Sequence, residues 1–400
     1  MKVLMLGMEY SETKGQIQSR YIADICEALA QNSVEVHLIS LGFDEEKEKI
    51  LRHGVHIHSI HPFEFQSFHW VSDAVLNNVP LLEKSISIAE TQPFDLVVAH
   101  DWLAALTAKS LKTIYEIPLI ITIHDIEIGE KQNQLTREEY YIAEMEGWIC
   151  QHADQIITTS HFMQKQLSDV YKIPASHIAV VQYGITPDSW TTQCNLKDFR
   201  RLFAPDKDKI VLFTGTLSMA QGPQVLLQAA EQVLKKIPDT TFIFSGQGEL
   251  AQELAQKAQK LQGNILFPGL LQGKALAATY QIADCLVIPA LYEPSGMAAL
   301  QAMLCKTPVI VSDTGILSEL IEHNSTGLKV TPFHPEALAQ AIITLLCETQ
   351  LSQNLALNAR EQVLNRHLWH NIARQMEEIY QRVIDIKKTR KTEIYFPKSL

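Results

Sequence analysis

The stretch 284-DCLVIPALYEPSGMAALQAMLCKTPVIVSDTGILSELI-321 sets the reading of the whole chain. Its apolar run Cys285–Pro289 is continuous rather than alternating, as expected of a strand buried on both faces. A polar loop containing Glu293 follows, then a helix from about Gly296 to about Cys305, then a second continuous run, Pro308–Val311. Strand, helix and strand in that order make a parallel unit with a right-handed crossover. The helix start then falls at the carboxyl end of the first strand. The amides of Gly296, Met297 and Ala298 are there expected to be free for an anion, phosphate being the usual one. The segment also reads as a plain strand-to-helix turn, with Glu293 capping the helix that follows it.

The same alternation runs through the chain. Continuous apolar strands are expected at Val3–Leu6, Val34–Ile39, Leu96–Ala99, Leu119–Ile123, Gln155–Thr158, Ile178–Val181, Ile210–Thr214, Thr241–Ser245 and Ile265–Phe267. Amphipathic helices fall between them at Ile17–Gln31, Leu103–Ile114, Arg137–Gln151, Gln224–Lys235 and Glu249–Gln262. A polar, turn-rich stretch at about 187–207 interrupts the series, which restarts at 209-KIVLFTG-215. The expected fold is α/β, with two Rossmann-like, doubly wound parallel-sheet domains facing a cleft: residues 1–190, and residues 191–368. A last helix from about Trp369 follows the second domain and is expected to cross back to the first, taking residues 369–400 with it.

Composition excludes several function classes. With 400 residues, 46% hydrophobic and 20% charged, the chain has the make-up of an ordinary globular protein. Its formal charge of −11 and the absence of a long basic run argue against a nucleic-acid surface. The short cluster 387-KKTRK-391 reads as a solvated tail, the alternative being a contact with an anionic membrane or partner. No stretch reaches the roughly 18–20 apolar residues of a transmembrane segment, and the apolar start is too short for a signal peptide. Six scattered cysteines show no metal-like spacing with histidine, so reduced thiols, a cytoplasmic location and no metal site are expected.

Taken together, 100-HDWLAAL-106, 122-TIHDIEIG-129, 180-VVQYGITPD-188, 212-LFTGTLSMAQGPQVLLQAA-230, 243-IFSGQGE-249, 327-GLKV-330 and the opening stretch resemble glycosyltransferase family 4. Within it, the chain is similar to the bacterial branch related to glycogen and starch synthases. The resemblance spans essentially the whole chain and rests on the order and spacing of these segments. It implies the GT-B fold, with a nucleotide-sugar donor held mainly by the second domain. The implied reaction transfers a sugar, glucose by branch, to the hydroxyl of a carbohydrate acceptor with retention at the anomeric carbon. Neither a cofactor nor a metal is implied, because cations and a helix start meet the departing diphosphate.

Residue by residue, the resemblance puts Glu293 beside the donor sugar and Gln301 where a second glutamate normally accepts from the ribose hydroxyls. It gives the amides of Gly296, Met297 and Ala298 to the diphosphate, with Ser295 at the donor site in place of the family's common phenylalanine, and His100, supported by Asp101, to the sugar. His124 and Gly15 become further donor-side positions, as do Gly215, Thr216 and Gln221; Lys14, beside Gly15, is a candidate cation at the same cleft. The aromatics of 62-PFEFQSFHWVSDAVLN-77 belong to the acceptor side, as sugar platforms or as core and lid.

The chain departs from the pattern mostly around one ligand. The family's Gly-Arg-Leu…Lys-Gly loop is here 215-GTLSMAQG-222, so Thr216 and Gln221 replace the two cations that face the diphosphate. Gln16 replaces a glycine, Tyr183 an asparagine and Ile316 a glycine, while Gln301 is a mild change from glutamate. Lys306 follows the helix at its far end and is expected to face away from the donor. Two functions therefore remain open. One is an active retaining transferase with a rebuilt phosphate site. The other is a non-catalytic family member that binds glucan, sugar or a protein, such as a catalytic paralogue or a second copy.

Overall fold

A computed structural model describes residues 1–9, 17–41, 49–62, 70–131, 135–192, 194–261 and 263–395. The chain divides into two compact units: residues 1–184 with 369–400, and residues 185–368.

Among the described residues, the first unit contains an eight-stranded sheet: β1 Lys2–Glu9, β2 Glu35–Leu41, β3 Lys49–Arg52, β4 Val55–Ile60, β5 Leu96–His100, β6 Leu119–Ile123, β7 Gln155–Thr158 and β8 Ile178–Val180. Their order across the sheet is β3-β4-β2-β1-β5-β6-β7-β8. All neighbours pair parallel except the β3–β4 hairpin at one edge. The order runs outward in both directions from β1 and β5, so the carboxyl ends of these two strands flank the switch point where ligands bind in such sheets. β5 and β6 are buried along their whole length, which their unbroken apolar sequences require.

The final helix, Trp369–Tyr395, belongs to this unit. The Trp369 indole N–H donates to Asp24 Oδ2 at 3.2 Å, and its ring meets Tyr21 edge-on at 5.4 Å.

The second unit has a six-stranded parallel sheet among its described residues: β9 Lys209–Thr214, β10 Thr240–Ser245, β11 Asn264–Gly269, β12 Cys285–Ile288, β13 Val309–Ser312 and β14 Leu328–Val330. The order β11-β10-β9-β12-β13-β14 reverses between β9 and β12. The helices Pro223–Lys236 and Pro335–Cys347 bury apolar faces, including Leu226, Val233, Leu338 and Ile342, against Val211, Phe242 and Val287 of the sheet.

The described residues of the polar stretch at 187–207 include a short helix. Asn195 caps a helix, Leu196–Arg201, and the Arg200 guanidinium donates to the carbonyls of Asp208 and Ile282 and pairs with Asp284 at 3.0 Å. Those contacts attach the stretch to the second unit, where the division of the chain also puts it. The opening stretch folds as β12, a loop, the helix Met297–Leu304 and β13.

Candidate functional site

In the second unit, loops following β9, β12 and β13 converge. Ala220, in the loop after β9, accepts from the amides of Leu291 and Tyr292 at 2.7 and 3.3 Å. The Gln221 side-chain amide donates to the Tyr292 carbonyl at 3.3 Å. In the loop after β13, the Ile316 amide donates to the Glu293 carbonyl at 3.0 Å, and Thr314 Oγ1 to the Leu291 carbonyl at 3.4 Å. Two glycines make this docking possible. Gly222 (φ 71°) lies so close to Pro289 that a Cβ would stand 2.0 Å from its carbonyl oxygen. At Gly315 (φ 55°) a Cβ would stand 2.3 Å from the Glu293 carbonyl oxygen.

At the centre lies Glu293, only 7% exposed. Its Oε1 accepts from the Ser295 amide (3.0 Å), the Ser295 hydroxyl (2.7 Å) and the Gly296 amide (2.8 Å). Ser295 Oγ in turn accepts from the Met297 amide at 3.4 Å. The expectation of free amides at the helix start is therefore corrected for Gly296 and Met297. A carboxylate within reach of a helix N-terminus satisfies both its own lone pairs and the orphan donors, so the cap forms from inside the chain. An incoming anion has to share or displace it. Gln301 sits one turn further along this helix, where its Oε1 accepts from the buried Tyr280 hydroxyl at 3.0 Å. Gly215 lies beside the Gln221 side chain, whose Oε1 would be 3.6 Å from a Cβ there, and Thr216 is exposed.

The first unit builds its candidate site from side chains. His100 ends β5, and His124 follows β6 by one residue. Their rings stack 5.3 Å apart, with His100 Nδ1 3.1 Å from His124 Nε2. His124 Nδ1 lies 2.7 Å from the Tyr183 hydroxyl. Tyr21 presents edge contacts to His100, His124 and Tyr183. Burial holds the His100 imidazole well below its ordinary pKa and takes His124 down to about 3, so both rings are neutral. Protons along this chain can point either way. In both directions His100 Nε2 is left over, a donor in one and an acceptor in the other, buried and without a hydrogen-bond partner among the described residues. Thr122, the register partner of His100 on β6, likewise has a buried hydroxyl without a partner among the described residues.

Asp101 turns the chain after β5 with φ 49°, and its Oδ1 accepts from the His124 amide at 2.8 Å. Burial lifts its pKa to about 7, against the opposing pull of that amide. Behind it, Glu146 accepts from the Tyr171 hydroxyl at 2.6 Å and from the Glu127 amide at 3.3 Å, and burial lifts it to about 8.

A family model described as Glycosyltransferase Family 4 matches residues 18–189, and one described as Glycosyl transferases group 1 matches residues 195–362. The chain belongs to the family 4-like glycosyltransferases. An uncharacterised glycosyltransferase of Methanocaldococcus jannaschii is 28% identical over 390 residues, 95% of this chain and 98% of that one. A glycogen synthase of Mycobacterium tuberculosis is 28% identical over 292 residues, 72% of this chain and 68% of the other. Among solved structures, Anabaena HepE in complex with UDP and glucose aligns over 96% of this chain and 100% of that chain. Its TM-score is 0.76 at 20% identity, which shows a shared fold. The two parallel-sheet units are those of the GT-B fold.

Within this glycosyltransferase the structure gathers Gly215, Thr216, Gln221, Glu293, Ser295, Gly296, Met297, Ala298 and Gln301 on two neighbouring loops and one helix of the second unit. It gathers His100, Asp101 and His124 at the ends of β5 and β6. Lys14, Gly15 and Gln16 lie outside the described residues, as do 63–69 of the acceptor-side segment. Of that segment, Trp70 is 59% exposed, while Val71 and Ala74 pack with Trp102 and Ile142. Lys306 lies by Lys209, Asp284 and Pro308 at the amino ends of the strands, away from the Glu293 loop. Sequence reasoning missed Tyr280 and Glu146. Each is a polar group inside an amphipathic helix, at a position that otherwise reads as core. Among the described residues no helix is long and apolar enough to cross a membrane.

Proposed function

We propose that this chain transfers a sugar, glucose by its likeness to the synthases, from a nucleotide-sugar to a carbohydrate hydroxyl. The observation that carries this reading is His100 Nε2, a buried atom on a neutral ring whose hydrogen bond no described residue meets. Such an atom suits a sugar hydroxyl, which both donates and accepts. In the reaction the bond from the sugar's anomeric carbon to the diphosphate breaks and a bond to the acceptor oxygen forms. The acceptor's proton is released and a nucleoside diphosphate leaves. Retention follows from the resemblance, and so does a transfer that needs no metal. The UDP and glucose bound by HepE support a uridine donor. The buried free thiols Cys26, Cys150 and Cys285 support a reducing, cytoplasmic setting.

A second reading has its own observation. Thr216 and Gln221 bring no charge to the loop after β9, and Glu293 already occupies the helix start. Each missing charge-assisted hydrogen bond is worth about 1.5–3 kcal/mol. Losing two transition-state donors slows transfer by about 10⁴–10⁶ if the effects add. On that reading the chain binds carbohydrate or a partner without turning over.

Calorimetry with UDP-, ADP- and GDP-glucose on the natural chain and on Thr216→Arg/Gln221→Lys separates the two. Binding and transfer by the natural chain are expected. No binding of any donor at millimolar concentration, with affinity gained by the double variant, overturns the transferase reading in favour of the second.

A further inference from the structure

At the amino ends of β2 and β4, far along the strands from His100, the sheet carries a second histidine cluster. β2 and β4 pair parallel with His37 opposite His56 and Ile39 opposite His58. Side chains two apart on a strand share a face, so Glu35 and His37 of β2 stand on the same face as His56 and His58 of β4. The His37 ring stacks on His56 at 4.5 Å and on His58 at 5.2 Å. His37 Nε2 is 3.2 Å from Glu35 Oε1, and His37 Nδ1 is 3.0 Å from His58 Nε2 and 3.2 Å from the Gln92 side-chain amide. One ligand atom from each of Glu35, His37 and His56 lies within 4.8 Å of the others.

We propose that Glu35, His37 and His56 bind one divalent transition-metal cation, of which zinc is the natural probe, with His58 orienting His37. Two imidazoles and one carboxylate suit zinc, cobalt or nickel rather than magnesium or calcium, which prefer an all-oxygen shell. Zinc has no preference for geometry from its d electrons and binds at about 2.0–2.2 Å, with a water completing four ligands. Ligand atoms then close to roughly 3.3–3.5 Å apart, which rotation of the His56 and Glu35 side chains accomplishes. Glu35 is about half-exposed and His56 partly so, which gives a cation a path from solvent.

The place already draws positive charge. The Lys2 ammonium sits 2.8 Å from Glu35 Oε1 and 3.0 Å from Gln92 Oε1. A divalent ion replaces it at the carboxylate, and the Gln92 amide, whose nitrogen faces His37 Nδ1, turns aside with Lys2. His37, only 1% exposed, meets Phe94 edge-on and has His58 on its Nδ1. Metal at Nε2 moves the His37 proton to Nδ1, where His58 Nε2 accepts it, and such a partner fixes a ligating ring's tautomer and direction. A bound ion ties β2 to β4, the inner strand of the edge hairpin, and so acts on the stability of the sheet. It has no part in sugar transfer, and the inference does not rest on that reading.

The test uses the full, tag-free chain stripped with a chelator. Titration with zinc chloride by calorimetry, and with cobalt chloride by visible absorption, is expected to show one ion per chain with micromolar or tighter affinity. Zinc is expected to raise the unfolding temperature. Glu35→Gln and His56→Ala should each weaken binding by at least about 10–100-fold and remove the thermal shift. Glu35→Gln preserves side-chain size, so it decides the matter if His56→Ala does not fold. Absence of stoichiometric zinc binding by the natural chain, or undiminished binding by folded variants, overturns the proposal.

Discussion

At the ends of β5 and β6 the polar atoms are held by other side chains, whereas the loops after β9, β12 and β13 hold one another by their backbones. His100, His124 and Tyr183 form a chain in which each ring fixes the next. Around Glu293 the anchors are the carbonyls of Ala220, Leu291, Tyr292 and Glu293. A frame made of backbone tolerates exchange of its side chains. That explains how the exposed Thr216 replaces a cation without disturbing its loop, while the Gln221 side chain adds a bond of its own to the Tyr292 carbonyl. A frame made of side chains ties each residue to the next, and there Tyr183, which replaces the family's asparagine, is the hydrogen-bond partner of His124.

The largest expected effect comes from breaking the backbone frame. Gly315→Ala puts a Cβ on the Glu293 carbonyl at a left-handed residue, and should destabilise the second unit by about 2–4 kcal/mol. Urea unfolding read from the second unit checks this. A loss of under about 0.5 kcal/mol would mean that side chains, not backbone contact, hold these loops.

Next in size is the side-chain frame. Tyr183→Phe removes the partner of His124 Nδ1 and leaves a buried ring nitrogen unpaired, a loss of about 1–3 kcal/mol. Urea unfolding read from the first unit checks this. The equivalent hydroxyl deletion in the second unit, Tyr280→Phe, should cost less, because the partly exposed Gln301 can turn to water.

A pH test sharpens the same contrast. Burial lifts Glu146 to about 8, above its value in an unfolded chain. Its neutral form thus favours folding at low pH, and that contribution is lost as pH rises through about 8. Between about pH 7 and 8, above the range in which the buried neutral His100 and His124 make stability rise with pH, the natural chain should lose stability, Glu146 giving a slope of up to about 1.4 kcal/mol per pH unit. Glu146→Gln should flatten that slope and leave the smaller part due to Asp101, which burial lifts to about 7. An unchanged slope in urea unfolding would show Glu146 to be ionised in the folded chain.

The same division governs what the sequence made legible. Strands buried on both faces announce themselves as unbroken apolar runs, so β1, β5, β6, β9 and β12 were readable. The hairpin β3–β4 was not, because 49-KILR-52 and 55-VHIHSI-60 mix charge and histidine with apolar residues at a sheet edge. Short β14 also escaped as a strand, since only three residues pair. At the site, position along the chain brought the right loops together, because each follows a strand of one parallel sheet. What it hid was the hydrogen bonding. That the Glu293 carboxylate reaches forward to cap Gly296 was one of two readings, and only the geometry chooses it. The pairing of His37 with His56 depends on a register between strands twenty residues apart, which no local spacing reveals.

Gln301→Glu should have the smallest effect. Tyr280 donates to Gln301 Oε1, and a carboxylate accepts that bond equally well. The change adds a negative charge on the helix that Glu293 caps, but a full turn beyond the cap, where the helix field has weakened. Stability should therefore shift by less than about 0.5 kcal/mol. Nucleotide affinity should change by less than about tenfold, the worth of roughly one net hydrogen bond to a ribose hydroxyl. Combined with Thr216→Arg/Gln221→Lys, its effect should simply add, because neither Thr216 nor Gln221 shares a hydrogen bond with Gln301. Affinity restored by Gln301→Glu alone would move the decisive defect from the loop after β9 to this helix, and would make the side chain rather than the lost cations the limit on donor binding.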